Sequence, residues 1–294
     1  MKKYINKFFV LLFAFSIMQS CSTDDKTVDD VLAGITNGAV LRTISATNTF
    51  NFFDPNDSRF VFDVSVEEQD AENGGLISEI RLYQSFTDNL DDGTDNSKPE
   101  VLILTETGAG LSVSDFNLPR LDFSSTLAEA LAVNGLSTGE FNGGDVFSFR
   151  FELELTNGAI YTNTNLGGTV SGGSFFSSPF IYNVGLKCIP ITPFAGEYTL
   201  DLVDDFGDGW DGAFITVTVD GVSTDYTAED EGTTHVVTVP AGTTDLVFTY
   251  TPGSFESEHT YTIDYDALDG SDPLEAAADG PAPAPGEIFL NICL

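Results

Sequence analysis

Nine consecutive residues stand out as a place where chemistry could occur: Asp204, Asp205, Phe206, Gly207, Asp208, Gly209, Trp210, Asp211 and Gly212. Four carboxylates crowded into one short segment repel each other, and the last basic residue of the chain, Lys187, lies well before them. Calcium takes six to eight oxygen ligands in a flexible shell. Glycines let a loop curl until successive carboxylates and carbonyls face one point. The spacing is not that of an EF-hand. It predicts a Ca2+ site built by Asp204, Asp208 and Asp211, with Asp205 or Glu258 completing the shell. The competing interpretation is a solvated acidic turn plugged by Trp210. That residue is the only tryptophan, and it either stacks on a sugar ring or packs beneath its own loop. A second acidic run, Asp88, Asp91, Asp92 and Asp95, has a similar composition, and a solvated loop is the simpler expectation for it.

Catalytic constellations are sparse. The two histidines, His235 and His259, show neither metal-ligand nor triad-like spacing. Glu256 and Glu258 would be a carboxylate pair for glycoside hydrolysis, but as same-face residues of a strand they would lie on one side of a substrate. No catalytic residue is expected, and a secreted esterase or glycosidase is the least favoured class. If Cys21 is modified, as argued below, Cys188 and Cys293 are left in an oxidising compartment, where one intramolecular pairing is available. They flank a strand-rich region whose first and last strands would lie close together, so a disulfide is expected. The alternative is a pair of free thiols.

These residues need a scaffold, and the hydrophobic pattern describes one. From Val146 to Leu155, Phe147, Phe149, Phe151, Leu153 and Leu155 alternate with Ser148, Arg150, Glu152 and Glu154, as a half-buried antiparallel strand requires. Asn157-Gly158 follows as a hairpin turn. Phe60, Phe62, Val64 and Val66 alternate likewise, as do Ile80, Leu82 and Phe86, with Gln84 as a polar interruption. One segment reads as a helix: Thr126 to Asn134, with a capping box in Thr126 and Glu129 and a stop at Gly135. Prolines at 190 and 193 separate this region from a second one. Its strands centre on Tyr198–Leu202, Phe214–Val219, His235–Val239, Leu246–Tyr250, Tyr261–Tyr265 and Ile288–Ile292, with Asp220-Gly221 as a hairpin turn. The proline-rich run from Ala278 to Gly286 is expected as a surface loop. The fold class is therefore all-β: two β-sandwich domains (Ig-like or jelly-roll-like), residues 37–190 and 191–294, with one short helix in the first.

The first residues say where the chain works. Lys2, Lys3 and Lys7 precede an apolar run from Phe8 to Met18, the plan of a secretory signal and too short to span a membrane comfortably. The segment Gln19-Ser20-Cys21 resembles the lipobox of bacterial lipoproteins, although Met18 and Gln19 depart from its tighter form. The resemblance implies a signal peptide over 1–20, lipidation at Cys21, and an acidic tether over 21–36. The mature chain would carry eight basic residues against 46 acids, a formal charge of −38. Such a surface disfavours nucleic acid and anionic headgroups as partners.

Around the nonamer the sequence GEYTLDLVDDFGDGWDGAFITVTVDG resembles the GDGW-containing β-sandwich modules attached to secreted and surface bacterial proteins. VPAG at 239–242 and PGSFESEHTYTI at 252–263 fit as well. That resemblance spans roughly 190–294 and implies a fold more than an activity. VEEQDAENGG, SFTDNLDDGTD, TLAEALAVNGL and GGSFFSSPF in the first region resemble lipoproteins of Bacteroidota that accompany outer-membrane glycan or nutrient import systems. The expectation is an outer-membrane, surface-exposed lipoprotein, held to the membrane by its lipid, that binds or scaffolds. It would be an accessory to a glycan or import complex, with calcium in a structural role. A purely structural or adhesive surface protein is the alternative.

Overall fold

The computed structural model describes residues 38–172 and 176–294. The signal segment, Cys21 and the tether lie outside the described residues. From Val40 to Leu294 the chain forms one compact unit, all-β with two short helices among the described residues.

The strands of the first region are β1 (Val40–Asn51), β2 (Phe62–Gln69), β3 (Ile77–Thr87), β4 (Lys98–Thr107), β5 (Ser112–Val113), β6 (Pro119–Ser125), β7 (Val146–Leu155), β8 (Ile160–Tyr161) and β9 (Ile181–Lys187). They join in the order β4-β3-β7-β9-β1-β2-β6-β5, with β8 on β7. The long β1 makes the corner. Its residues 40–48 pair antiparallel with β2, and Thr49–Asn51 pair parallel with Gly185–Lys187 of β9. A strand that changes neighbours in this way folds a sheet back on itself. Phe62 of β2 then stacks on Phe149 of β7 at 4.1 Å. In β7 the five apolar residues of the alternation are buried to 1 % exposure or less.

Helix α1 (Leu127–Asn134) begins where the capping box predicts. The Thr126 side chain accepts from the Glu129 amide, and the Glu129 carboxylate accepts from the Thr126 amide. Gly135 ends it at φ 65°. Gln84, the polar break in β3, is buried because it docks this helix, donating to the carbonyl of Ala130 at 2.8 Å and to Asn134 Oδ1 at 2.5 Å. A second, one-turn helix, α2 (Gly168–Ser171), was not expected from its glycine-flanked sequence.

The second region contributes β10 (Gly196–Asp204), β11 (Phe214–Val219), β12 (Val222–Tyr226), β13 (Gly232–Val239), β14 (Leu246–Thr251), β15 (His259–Asp266), β16 (Leu274–Asp279) and β17 (Gly286–Ile288). They form two four-stranded sheets, β13-β10-β15-β16 and β12-β11-β14-β17. Tyr198, Leu200 and Leu202 from one sheet and Ile215, Val217, Phe248 and Tyr250 from the other share a single core. The segment 204–212 leaves the last residue of β10 in one sheet and leads to β11 in the other, so it closes one end of the sandwich. The expected strand at Ile288–Ile292 is shorter, because the ladder stops at Ile288. Beyond it the Ile292 amide donates to the carbonyl of Cys188 at 2.9 Å.

That contact sits beside the Cys188–Cys293 disulfide, with Cα atoms 5.1 Å apart and a sequence separation of 105 residues. Gly143 of the first region lies against both sulfurs, where a Cβ would collide. Phe60 and Phe289 meet edge-on at 4.9 Å, and Phe53 and Phe194 at 6.3 Å. Among the described residues, no helix is long and apolar enough to cross a membrane.

Candidate metal centre

Strand alternation decides which acids of the nonamer turn inward. In β10 the inward residues are Tyr198, Leu200 and Leu202, and Asp204 continues that register with 2 % exposure. A carboxylate in this position requires partners. Its Oδ2 accepts the amides of Gly207, Asp208 and Gly209 at 2.7, 2.8 and 3.0 Å. Gly207 and Gly209 reach this geometry with φ of 91° and 94°, where a side chain would be strained. The other oxygen, Oδ1, is buried with no protein partner. Burial opposes ionisation of Asp204, but the converging amides of Asp208, Gly207, Gly209 and Phe206 outweigh it and hold the carboxyl below its ordinary range. The group is thus an anion with one lone oxygen to spare.

Two other carboxylates come to it. Asp204, Asp208 and Glu258 each offer a ligand atom, and these atoms lie within 4.8 Å of one another. Among the described residues this is the one such group of three or more metal-ligating side chains. Glu258 arrives from the 3₁₀ turn Glu256–Glu258 just before β15, and the bond from the Asp205 amide to its carbonyl, 3.0 Å, fixes the approach. Its carboxyl is pushed above the ordinary value by burial first, then by the charges of Asp204, Asp208 and Asp211; His259 acts in the opposite sense.

Of the five residues expected as ligands, two lie outside the converging group. Asp205 follows the inward Asp204, so alternation turns it outward, and it is exposed. Asp211 sits at φ 42° beyond Trp210, and its carbonyl accepts from Ser254 at 3.2 Å. It contributes field at Glu258 but stands outside the converging group. Of the two candidates to complete the shell, Glu258 is the one in place.

Trp210 does not offer a face to a sugar. It is 1 % exposed, donates from Nε1 to the carbonyl of Val203 at 2.8 Å, meets Tyr250 edge-on and stacks on His259 at 5.5 Å. It packs beneath its own loop, because the indole is the apolar cover for this end of the core. His259, unassigned from sequence, is fully buried, with Nδ1 3.2 Å from the Tyr250 hydroxyl and Nε2 without a protein partner.

Glu256 and Glu258 are not paired on a strand face. Glu256 accepts from the Tyr250 hydroxyl at 2.6 Å and from the Gly253 amide at 2.5 Å, while Glu258 turns to the acidic group. In the second acidic run three of the four carboxylates accept bonds from their own loop. Asp88 accepts from Leu90 and Asn96, Asp92 from Thr94, and Asp95 from Ser97.

Chemically, the centre is three carboxylates on a curled loop with only oxygen to offer. Such a donor set suits a hard divalent cation. One oxygen from Asp204 and one or two from each of Asp208 and Glu258, completed by carbonyls and water, meet calcium's requirement. No protein-family model and no curated protein matches this chain.

Proposed function

We propose that this chain is a lipid-anchored surface protein that acts by binding or scaffolding, with a calcium ion ordering the 204–212 loop. The observation that carries the calcium part is the buried, partnerless Oδ1 of Asp204, on a carboxylate that converges with those of Asp208 and Glu258 where no lysine or arginine follows in sequence. A divalent cation would satisfy that oxygen and relieve the repulsion felt by Glu258 together. Binding is favoured over catalysis by the positions of the candidate acid-base groups. His259 lies in the core and Glu256 is held by Tyr250 and Gly253. The lipid anchor, the outer-membrane location, and a role beside a glycan or nutrient import complex rest on the N-terminal sequence and on the resemblances it carries.

Two experiments test the proposal. Terbium substitutes for calcium and is sensitised by a nearby indole, and Trp210 is the only one. Tryptophan-excited terbium emission should appear with the parent, be displaced by calcium, and vanish in Asp204→Asn. Emission unchanged by that substitution would remove the site. Separately, Cys21→Ala should release the protein from the membrane fraction, and a variant that still pellets after a high-salt wash would remove the anchor.

A further inference from the structure

A second feature lies at the opposite end of β10. There the loop between β1 and β2, the linker after Cys188, the start of β14 and the segment around β17 enclose a cleft of about 370 Å³, within the range of small-ligand sites. Its charge is one-sided. Asp54, Asp57, Asp245 and Glu287 line it against a single base, Arg59. Arg59 is already engaged, holding Asp57 through Nε at 3.1 Å and Nη2 at 2.8 Å, with Glu287 and Asp54 adding to the field around it. The cleft therefore keeps about three uncompensated negative charges. Its apolar wall is equally defined. Ile191 is 64 % exposed and Phe289 39 %, and Phe194 stands beside them on the proline-stiffened linker.

We infer that this cleft holds a basic, apolar segment of a partner protein, with a lysine or arginine head among the carboxylates and an aliphatic or aromatic neighbour on Ile191 and Phe289. Charge complementarity selects this occupant. Uncompensated carboxylates beside aromatic rings attract a cation twice, through Coulomb attraction and through the ring faces. A neutral sugar could stack on the same rings but would gain nothing from the uncompensated charges. The inference gives the binding part of the proposed function a partner class and rests on that part. It does not depend on calcium, because β10 separates the cleft at Tyr198 from the acidic loop at Asp204.

The probe is a capped five-residue peptide alternating leucine and lysine, with its lysine-acetylated form as comparison. Binding is followed by fluorescence anisotropy of a labelled peptide at 150 mM sodium chloride, with and without calcium. The parent should bind the basic form at least tenfold more tightly than the acetylated one. Asp245→Asn with Glu287→Gln should remove most of that preference, and Ile191→Ser should weaken both forms. Asp115→Asn with Asp122→Asn, outside the cleft, changes the net charge equally and should leave binding unchanged. All five substituted side chains are exposed, and far-UV circular dichroism checks the fold. Equal weakening by the outside pair would show general attraction to an acidic protein and overturn the inference. So would equal binding of the acetylated peptide, or a neutral oligosaccharide that binds at the cleft where the basic peptide does not. Loss of the terbium signal with peptide binding intact would remove the calcium reading alone.

Discussion

Glu68 should make the protein lose stability as pH rises through neutrality. It lies in β2, fully buried, and neither carboxyl oxygen has a protein partner. The 70–76 loop closes over it, with Gly74 set so that a Cβ there would stand 3.3 Å from Glu68 Oε2. That loop is pinned by Asp70, whose carboxylate accepts the amides of Glu72, Gly74 and Leu76. Burial first, and the Asp70 charge second, push the Glu68 carboxyl from 4.5 to about 8. Between these values the folded protein keeps a proton that the unfolded chain has lost. The stabilising contribution is therefore complete below pH 4.5 and is lost as pH rises through about 8. One such proton gives a slope of about 1.4 kcal/mol per pH unit, and the whole interval amounts to roughly 4 to 5 kcal/mol at most. Glu68→Gln keeps the shape and cannot ionise. Its unpartnered amide costs about 1–3 kcal/mol at every pH, so the quantity to compare is the slope. Urea unfolding at pH 5, 6, 7 and 8 and constant ionic strength should show a falling free energy for the parent and a much flatter line for the variant. Parallel lines would refute the assignment.

Two further expectations concern the seam between the regions. Gly143→Ala places a methyl group against the Cys188 and Cys293 sulfurs and should cost about 1–3 kcal/mol by overpacking; the penalty should shrink in a Cys188→Ala, Cys293→Ala background, as read by a double-mutant cycle of thermal melts. The disulfide closes a loop of 105 residues, so its removal should destabilise by up to about 4.7 kcal/mol on the chain-entropy model. An unreduced digest should contain the peptide joining Cys188 to Cys293, and two alkylatable thiols in the native protein would contradict the bond.

What could be seen in the sequence was whatever local patterning controls. β7 and α1 stand where alternation and the capping box put them, since each signal is complete within ten residues. β16 was missed because LEAAAD offers alanines in place of the branched residues that mark strands. Glu68 looks like surface charge in VEEQD, and only the fold reveals that Glu67 and Glu68 are both buried. At the metal centre the acidic loop was legible as a whole. The choice among its acids was not, since it depends on the inward register of Asp204, the left-handed turn at Asp211, and a glutamate more than fifty residues away. No local signal could bring Arg59 to Glu287 in the cleft, since that juxtaposition exists only once the two regions pack.

The acidic loop itself is best judged by melting the soluble chain from residue 22 onward in millimolar calcium and in sodium chloride of equal ionic strength. Extracellular calcium modules bind at about 10⁻⁴ to 10⁻³ M, and a cation at a hundred times its dissociation constant stabilises by about 2.7 kcal/mol. At a smaller excess the gain is less, yet still a measurable rise in melting temperature. Calcium should raise the transition beyond sodium in the parent, and Asp208→Asn, which keeps the size and removes one of the three converging charges, should abolish most of that excess. Equal shifts from calcium and sodium, or a variant that responds like the parent, would mean that the loop is an acidic turn relieved by screening alone.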